Sequence, residues 1–327
     1  MMVVRRALAL LRKAVVEVVD LVVAAGAAAL MALVRLVPER TAANVAGTVA
    51  RVVGMRLPVT RRVGLPNLKL AFPEKSEAEH RVILAECWDN LGRIAVEYCQ
   101  LDRIWDFDPK TMRGDRVTFN ETSLAHYVTL RDDGKPAIVI AAHLANWELP
   151  MVAAAAHGLD AAALYRAPNN RWIARWVRGQ RRVAMGELVT SRAGAVNRLS
   201  QILAENRHVG LLADQYFYDG IRAPFFGHDT LSNQMFARLA RIHDCPVHAV
   251  RVIRLPGDRF ELELTGALDL PRDVSGRVDP AGAVVVMNAL FERWVREHPG
   301  QWLWLHRKWR GDDTVTRKEA RRRARGA

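Results

Sequence analysis

The sequence predicts an α/β fold, a central and mostly parallel sheet flanked by helices, with an N-terminal membrane-associated helix ahead of it. Three observations point there. The run Ala137-Ile138-Val139-Ile140-Ala141-Ala142 is apolar without alternation, as a parallel strand buried on both faces would be. A second such run spans Val209 to Ala213. Stretches of helical periodicity alternate with the strands, the order expected of a sheet covered on its faces by helices. With 327 residues and a hydrophobic fraction of 50%, the chain can bury a full core, and disorder is excluded as its general state.

Taken in order, Leu21 to Val34 forms a charge-free apolar stretch, preceded by Glu17 and Asp20 and followed by Arg35. That stretch falls short of the ~20 residues that span a bilayer. Extending it back to Ala14 adds length but includes both acids, which must then snorkel or find partners. Spanning the membrane and lying along it are both open. Arg5, Arg6, Arg12 and Lys13 precede the stretch, no small-residue cleavage site follows it, and a removed signal peptide is the weaker reading. Basic residues at both ends leave orientation unset. The chain thus divides into an anchoring helix over 1–40, an α/β domain over 41–310 and a basic tail over 311–327.

Within the domain, Thr41 to Gly54 reads as a short helix and 63–73 as a loop around Pro66 and Phe72-Pro73. Ser76 with Glu79 three residues on is a capping box, opening a helix to about Gln100. After the strand at 137–142 comes an amphipathic stretch from Asn146 to His157, then a strand over Ala161 to Tyr165. Helices follow over Arg171 to Arg182 and Ala195 to Asn206. Pro246 to Arg254 and Arg259 to Leu264 read as a strand pair turning at Pro256-Gly257-Asp258. Ala281 to Glu297 is the last helix, before Trp302, Trp304 and Trp309.

His143 stands just past the end of the first buried strand, and Glu148 follows five residues later. On one helix, residues five apart point about 140° away from each other, so the two can meet only if the chain bends between them. Ten histidines and 35 acids in 327 positions produce about one such spacing by chance, so its context carries the argument. The carboxyl ends of strands are where open α/β sheets place ligands. A second polar strand end, Asp214-Gln215, faces the same edge, and between the two lie Arg166, Arg171, Arg175, Arg178, Arg181 and Arg182, interleaved with Trp172 and Trp176. Basic and aromatic residues so mixed suit phosphates and acyl chains together.

A histidine beside a carboxylate suits general-base work on a hydroxyl, with the carboxylate fixing the tautomer. Gly-x-Ser-x-Gly is absent, so direct attack by an acceptor hydroxyl is more economical than an acyl-enzyme. An arginine, or amides near the helix start at Asn146, could hold the oxyanion. No metal is expected, because His-Glu-x-x-His does not occur and the next histidine is His157. Cys87, Cys99 and Cys245 form no paired motif, which points to a reducing, cytoplasm-facing body. The net charge of +13 suits a polyanionic partner: anionic lipid, an acidic carrier protein or nucleic acid. No recognition helix or zinc-finger pattern supports nucleic acid.

On these motifs the chain resembles the late acyltransferases of lipid A biosynthesis, the lauroyl and myristoyl transferase family of the lysophospholipid acyltransferase-like superfamily. The resemblance rests on His143 to Glu148, Tyr165-Arg166 followed by Asn169-Asn170, Asp214-Gln215, Pro224-Phe225-Phe226-Gly227 and Trp302-Leu303-Trp304-Leu305-His306-Arg307. It implies that His143 is the base and Glu148 its partner. It also implies that Arg166, Asn169, Asp214, Gln215 and one of Arg181 and Arg182 form the substrate-binding set. The implied reaction moves an acyl chain from acyl carrier protein to a hydroxyacyl chain of the Kdo-bearing lipid A precursor. It needs no cofactor and runs on the cytoplasmic side of the cell inner membrane. A phospholipid or other glycolipid acceptor is the same-fold alternative, and a non-catalytic membrane-binding protein is the alternative of another class.

Overall fold

The computed structural model describes residues 2–310 apart from 109, 112, 169, 176–178 and 180–184. Nine strands are found among the described residues: β1 (Val117–Phe119), β2 (Ile138–Ala141), β3 (Ala161–Tyr165), β4 (Glu187–Thr190), β5 (His208–Leu212), β6 (Tyr216–Phe225), β7 (His228–Ser232), β8 (Val247–Leu255) and β9 (Arg259–Leu264). Seven form one sheet in the order β1-β9-β8-β2-β5-β3-β4, and β6 pairs with β7 as a separate hairpin. Every pairing in the large sheet is parallel except β8–β9. That exception follows from the expected turn, where Gly257 (φ 80°) and Asp258 (φ 56°) adopt left-handed conformations and return the chain directly. The mostly parallel sheet predicted from the sequence is therefore the one observed.

Around the sheet lie α1 (Met2–Leu36), α2 (Glu39–Gly54), α3 (Leu65–Ala71), α4 (Glu77–Tyr98), α5 (Leu101–Ile104), α6 (Glu121–Asp132), α7 (Leu149–Ala156), α8 (Ala195–Ala204), α9 (Met235–His243) and α10 (Pro280–Glu297). The capping box forms as read: Ser76 Oγ accepts from the Glu79 amide while Glu79 Oε2 accepts from the Ser76 amide at 2.8 Å. α2 packs closely on α4, because a Cβ on Gly92 would stand 2.3 Å from the Ala46 carbonyl oxygen. Strand periodicity sorts the core. Ile138, Ile140, Val209, Leu211, Val247 and Ala249 pack against α8, α9 and α10 on one face. Ala141, Ala161, Val250 and Leu264 meet α6 and α7 on the other.

Some elements differ from expectation. Residues 65–71, read as loop, form α3, because Leu65, Leu68 and Ala71 are buried. Asn67 Nδ2 also donates to the Trp304 and His306 carbonyls at 2.8 and 2.7 Å. Those partners lie more than 200 residues away and leave no local trace. The helix predicted from Asn146 starts at Leu149, and β1, β4, α6, α9 and the β6–β7 hairpin are additional. The two edge strands are three and four residues long, too short to show a period. Of the helix predicted over Arg171 to Arg182, residues 171–175 are helical and most of the remainder lies outside the described residues, as does the basic tail.

Candidate active site

Register brings the two polar strand ends together. β2 and β5 are adjacent and parallel, with Ala141 opposite Leu212 and the Ala213 amide donating to the Ala141 carbonyl at 3.0 Å. Two residues further along each strand stand His143 and Asp214. The Asp214 carboxylate accepts from the His143 backbone amide at 3.0 Å, pairs with His143 Nδ1 at 2.7 Å, and accepts from the Trp302 indole N–H at 2.7 Å. Its side chain is only 1% exposed. Burial by itself would raise this carboxyl, but the His143 ring and amide and the Trp302 N–H outweigh it. They hold the group well below the usual carboxylate range. The carboxylate at His143 Nδ1 is thus Asp214, in the place the sequence reading assigned to Glu148. Asp214, expected in the substrate-binding set, stands behind the His143 ring in this structure. The cause is topological, since neighbouring parallel strands set their ends side by side.

The chain does bend between His143 and Glu148. Ala145 takes φ 44°, its amide donates to the Gln301 carbonyl at 3.0 Å, and Glu148 occupies the cap position of α7. A segment from the far end of the chain holds this bend: Leu144 bridges Trp302, and the Leu303 amide donates to the His143 carbonyl at 3.2 Å. Asn146, fully buried, donates to Glu97 Oε2 at 2.9 Å and accepts from the Glu148 amide at 3.2 Å. Glu97 is in turn paired with Arg254. A buried carboxylate so bonded anchors the loop, since removing either partner would strand a charge in the core. The Ala145, Glu148 and Leu149 amides are already engaged, so the expected oxyanion donors at this helix start are largely taken. The Gln215 side-chain amide nitrogen stands 3.4 Å from His143 Nε2.

His143 Nε2 faces a cavity of about 490 Å³, within the range of small-ligand sites. His143, Trp147, Glu148, Arg166 and Gln215 line its mouth at the carboxyl ends of the strands, and Tyr127, Leu130, Leu159 and His208 line it toward their amino ends. The space exists because of small residues. On the sheet face toward α7, Val139, Gly210 and Ala163 share one row, with Ala141 above and Ala161 below. Ala153 and Ala154 face them from α7. Met151 lies over Gly210, where a Cβ would meet its sulfur at 3.1 Å. At the amino end, His208 Nε2 bonds the Leu130 carbonyl at 2.9 Å. The result is an apolar trough below the His143 side chain, of a polarity that suits an alkyl chain.

The family model for bacterial lipid A biosynthesis acyltransferases matches residues 14–311. The chain belongs to that family. It is 25% identical over 281 residues to the lipid A biosynthesis palmitoleoyltransferase of Escherichia coli K12, a match that covers 80% of this chain and 83% of the relative. The lipid A biosynthesis acyltransferase of Shigella flexneri matches with the same identity and coverage. The chain is accordingly an acyltransferase of lipid A biosynthesis, as the resemblance implied.

In this acyltransferase the structure brings His143, Glu148, Arg166 and Gln215 to one cavity mouth, with Asp214 directly behind. Asn169, Arg181 and Arg182 lie outside the described residues. Sequence reasoning missed Trp302, the Glu97–Arg254–Asn146 anchor and the small-residue trough. The tryptophan-rich run was visible, but nothing in its spacing says which indole reaches Asp214. His306 was also passed over. It accepts from the Tyr216 amide at 3.1 Å, and burial pushes its ring down to about 4, so it is neutral near pH 7. Among the described residues no group of three or more His, Cys, Asp or Glu side chains could hold a metal ion.

Proposed function

We propose that the protein transfers an acyl chain from acyl carrier protein to a hydroxyl of a hydroxyacyl chain on the Kdo-bearing lipid A precursor. The reaction is placed at the cytoplasmic face of the cell inner membrane. His143 Nε2 removes the proton from the acceptor hydroxyl as its oxygen bonds to the thioester carbonyl carbon. Asp214 keeps the proton of the neutral ring on Nδ1, leaving Nε2 free to accept, and stabilises the imidazolium that forms. Gln215 donates to the oxyanion of the tetrahedral intermediate. As the carbonyl reforms, the C–S bond breaks and the thiolate leaves with the proton that His143 returns. Glu148 and Arg166 act at the mouth, where the phosphorylated acceptor and the donor meet. In this proposal Asn169, Arg181 and Arg182 remain substrate-binding residues. The excess of basic residues suits both an acidic carrier and a phosphorylated glycolipid.

One observation carries the reading: a histidine with a buried carboxylate behind it opens onto a deep apolar trough. The test incubates purified protein with an acyl carrier protein thioester and the Kdo-bearing precursor, and reads products by mass spectrometry. One added acyl group per acceptor is expected, lost in His143→Ala. Undiminished transfer by that variant would overturn the mechanism, and acylation of phospholipid alone would overturn the acceptor.

A further inference from the structure

Over Val15–Leu36, α1 is long and apolar enough to cross a membrane. Its surroundings argue for another placement. From residue 15 on, the half-buried positions of α1 are Glu17, Asp20, Ala24, Ala27, Met31, Val34 and Arg35, and the rest are exposed. Apart from the adjacent Arg35, their spacing alternates three and four, a single seam down one side of the helix. The α/β body is bonded to that seam at both of its ends.

Polar bonds tie both ends of the seam to the same body. At one end, Asn170 Nδ2 donates to the Asp20 carbonyl at 2.7 Å and Arg171 pairs with Glu17 at 3.4 Å. At the other, Arg35 donates to the Cys99 carbonyl at 2.7 Å and pairs with Asp102 at 2.8 Å, while Gln100 donates to the Val34 carbonyl at 3.3 Å. The two ends are about 27 Å apart along the helix, close to the full ~30 Å hydrocarbon thickness. Asn170 follows β3 and Cys99 follows α4, and both elements contribute to one core through Ala162, Leu84 and Cys87. A helix crossing the bilayer would require one body to sit at both interfaces.

We propose that α1 is a monotopic strap, lying lengthwise in a single leaflet with the α/β body along its inner side. The outward face carries Val15, Val18, Val22, Leu30, Leu33 and Leu36, each at least half exposed, and no charge stands between Asp20 and Arg35. An apolar strip of that length is unfavourable in water and fits acyl chains. Glu17, Asp20 and Arg35 lie along the inner seam, where Arg171 of the body pairs with Glu17 and Asp102 with Arg35. The placement goes beyond the reaction proposed above and does not depend on which acceptor is used.

The test uses the full chain in membranes, with Cys99→Ser to remove the one partly exposed cysteine. One variant carries a cysteine in a short tag ahead of Met1. A second carries Val274→Cys, fully exposed on the body. An impermeant maleimide is applied to right-side-out and to inverted vesicles, and acyl transfer in each variant confirms folding. Both cysteines are expected to label from the same face of membrane-bound protein. Labelling from opposite faces would overturn the proposal. So would recovery of the chain as a soluble dimer, because a second copy would then cover the strip.

Discussion

Asp214→Asn puts the assignment of the histidine's partner to its sharpest test. The parent carboxylate accepts three hydrogen bonds at 3.0, 2.7 and 2.7 Å, all from N–H groups. An asparagine of the same shape has one oxygen and one NH₂. With the oxygen facing the Trp302 indole and the His143 amide, the NH₂ meets Nδ1 and forces that nitrogen to accept. The ring proton then moves to Nε2, and the base is lost at the atom that faces the cavity. The negative charge that stabilises the imidazolium is lost with it. Where a buried aspartate plays this part, the amide replacement costs about 10⁴ in kcat, equivalent to ~5.5 kcal/mol of barrier. We expect a fall of about 10³–10⁴ in kcat with KM nearly unchanged, since Asp214 does not line the cavity. The drop should hold throughout the neutral range, because the parent carboxyl lies well below the usual range and stays ionised there. The assay is initial-rate transfer from a carrier-protein thioester, with Glu148→Gln in parallel. An Asp214→Asn enzyme within about tenfold of the parent kcat would refute the pairing argument.

Three further outcomes follow from the geometry. Trp302→Phe keeps an aromatic side chain but removes the indole N–H and with it one charge-assisted bond to Asp214, worth ~1.5–3 kcal/mol; kcat should fall at least tenfold with KM steady, and an unchanged kcat would refute the indole's role. Gly210→Val fills the trough beneath Met151 and denies space for about two methylenes, ~1.6 kcal/mol; the preference for long over short acyl donors should fall roughly tenfold in competition assays, and an unaltered ratio would place the chain elsewhere. His306 is held neutral down to about 4, first by burial, whereas the unfolded chain takes up the proton near 6.5. Protonation therefore favours unfolding, stability falls as pH drops from about 6.5 to about 4, and the loss reaches ~3 kcal/mol. His306→Gln, which can still accept from the Tyr216 amide, should flatten that limb in denaturant titrations.

Much of the fold is legible because its signals are local. The uninterrupted run at 137–142 announces a strand buried on both faces, and Ser76 with Glu79 announces a helix start. Pro256-Gly257-Asp258 announces a hairpin, and each is found within a residue or two of its expected place. α3 was not legible, because Asn67 is held by carbonyls from the chain's far end. Within the site, His143 and Asp214 were each recognisable as polar strand ends. Trp302 was not, because its contribution is one indole N–H delivered across 88 residues of separation.

The sequence by itself determined the kind of protein: an α/β sheet, a histidine at the end of a buried strand, an apolar N-terminal stretch and the family motifs. These follow from side-chain periodicity and turn chemistry, which neighbouring residues decide among themselves. Only the tertiary structure decided that Asp214 stands behind His143, because β2 and β5 are separated by about seventy residues and become neighbours solely through the order of strands in the sheet. It also decided that α1 carries a seam facing the body. Hydropathy counts how apolar a helix is, whereas the side it buries depends on what packs against it.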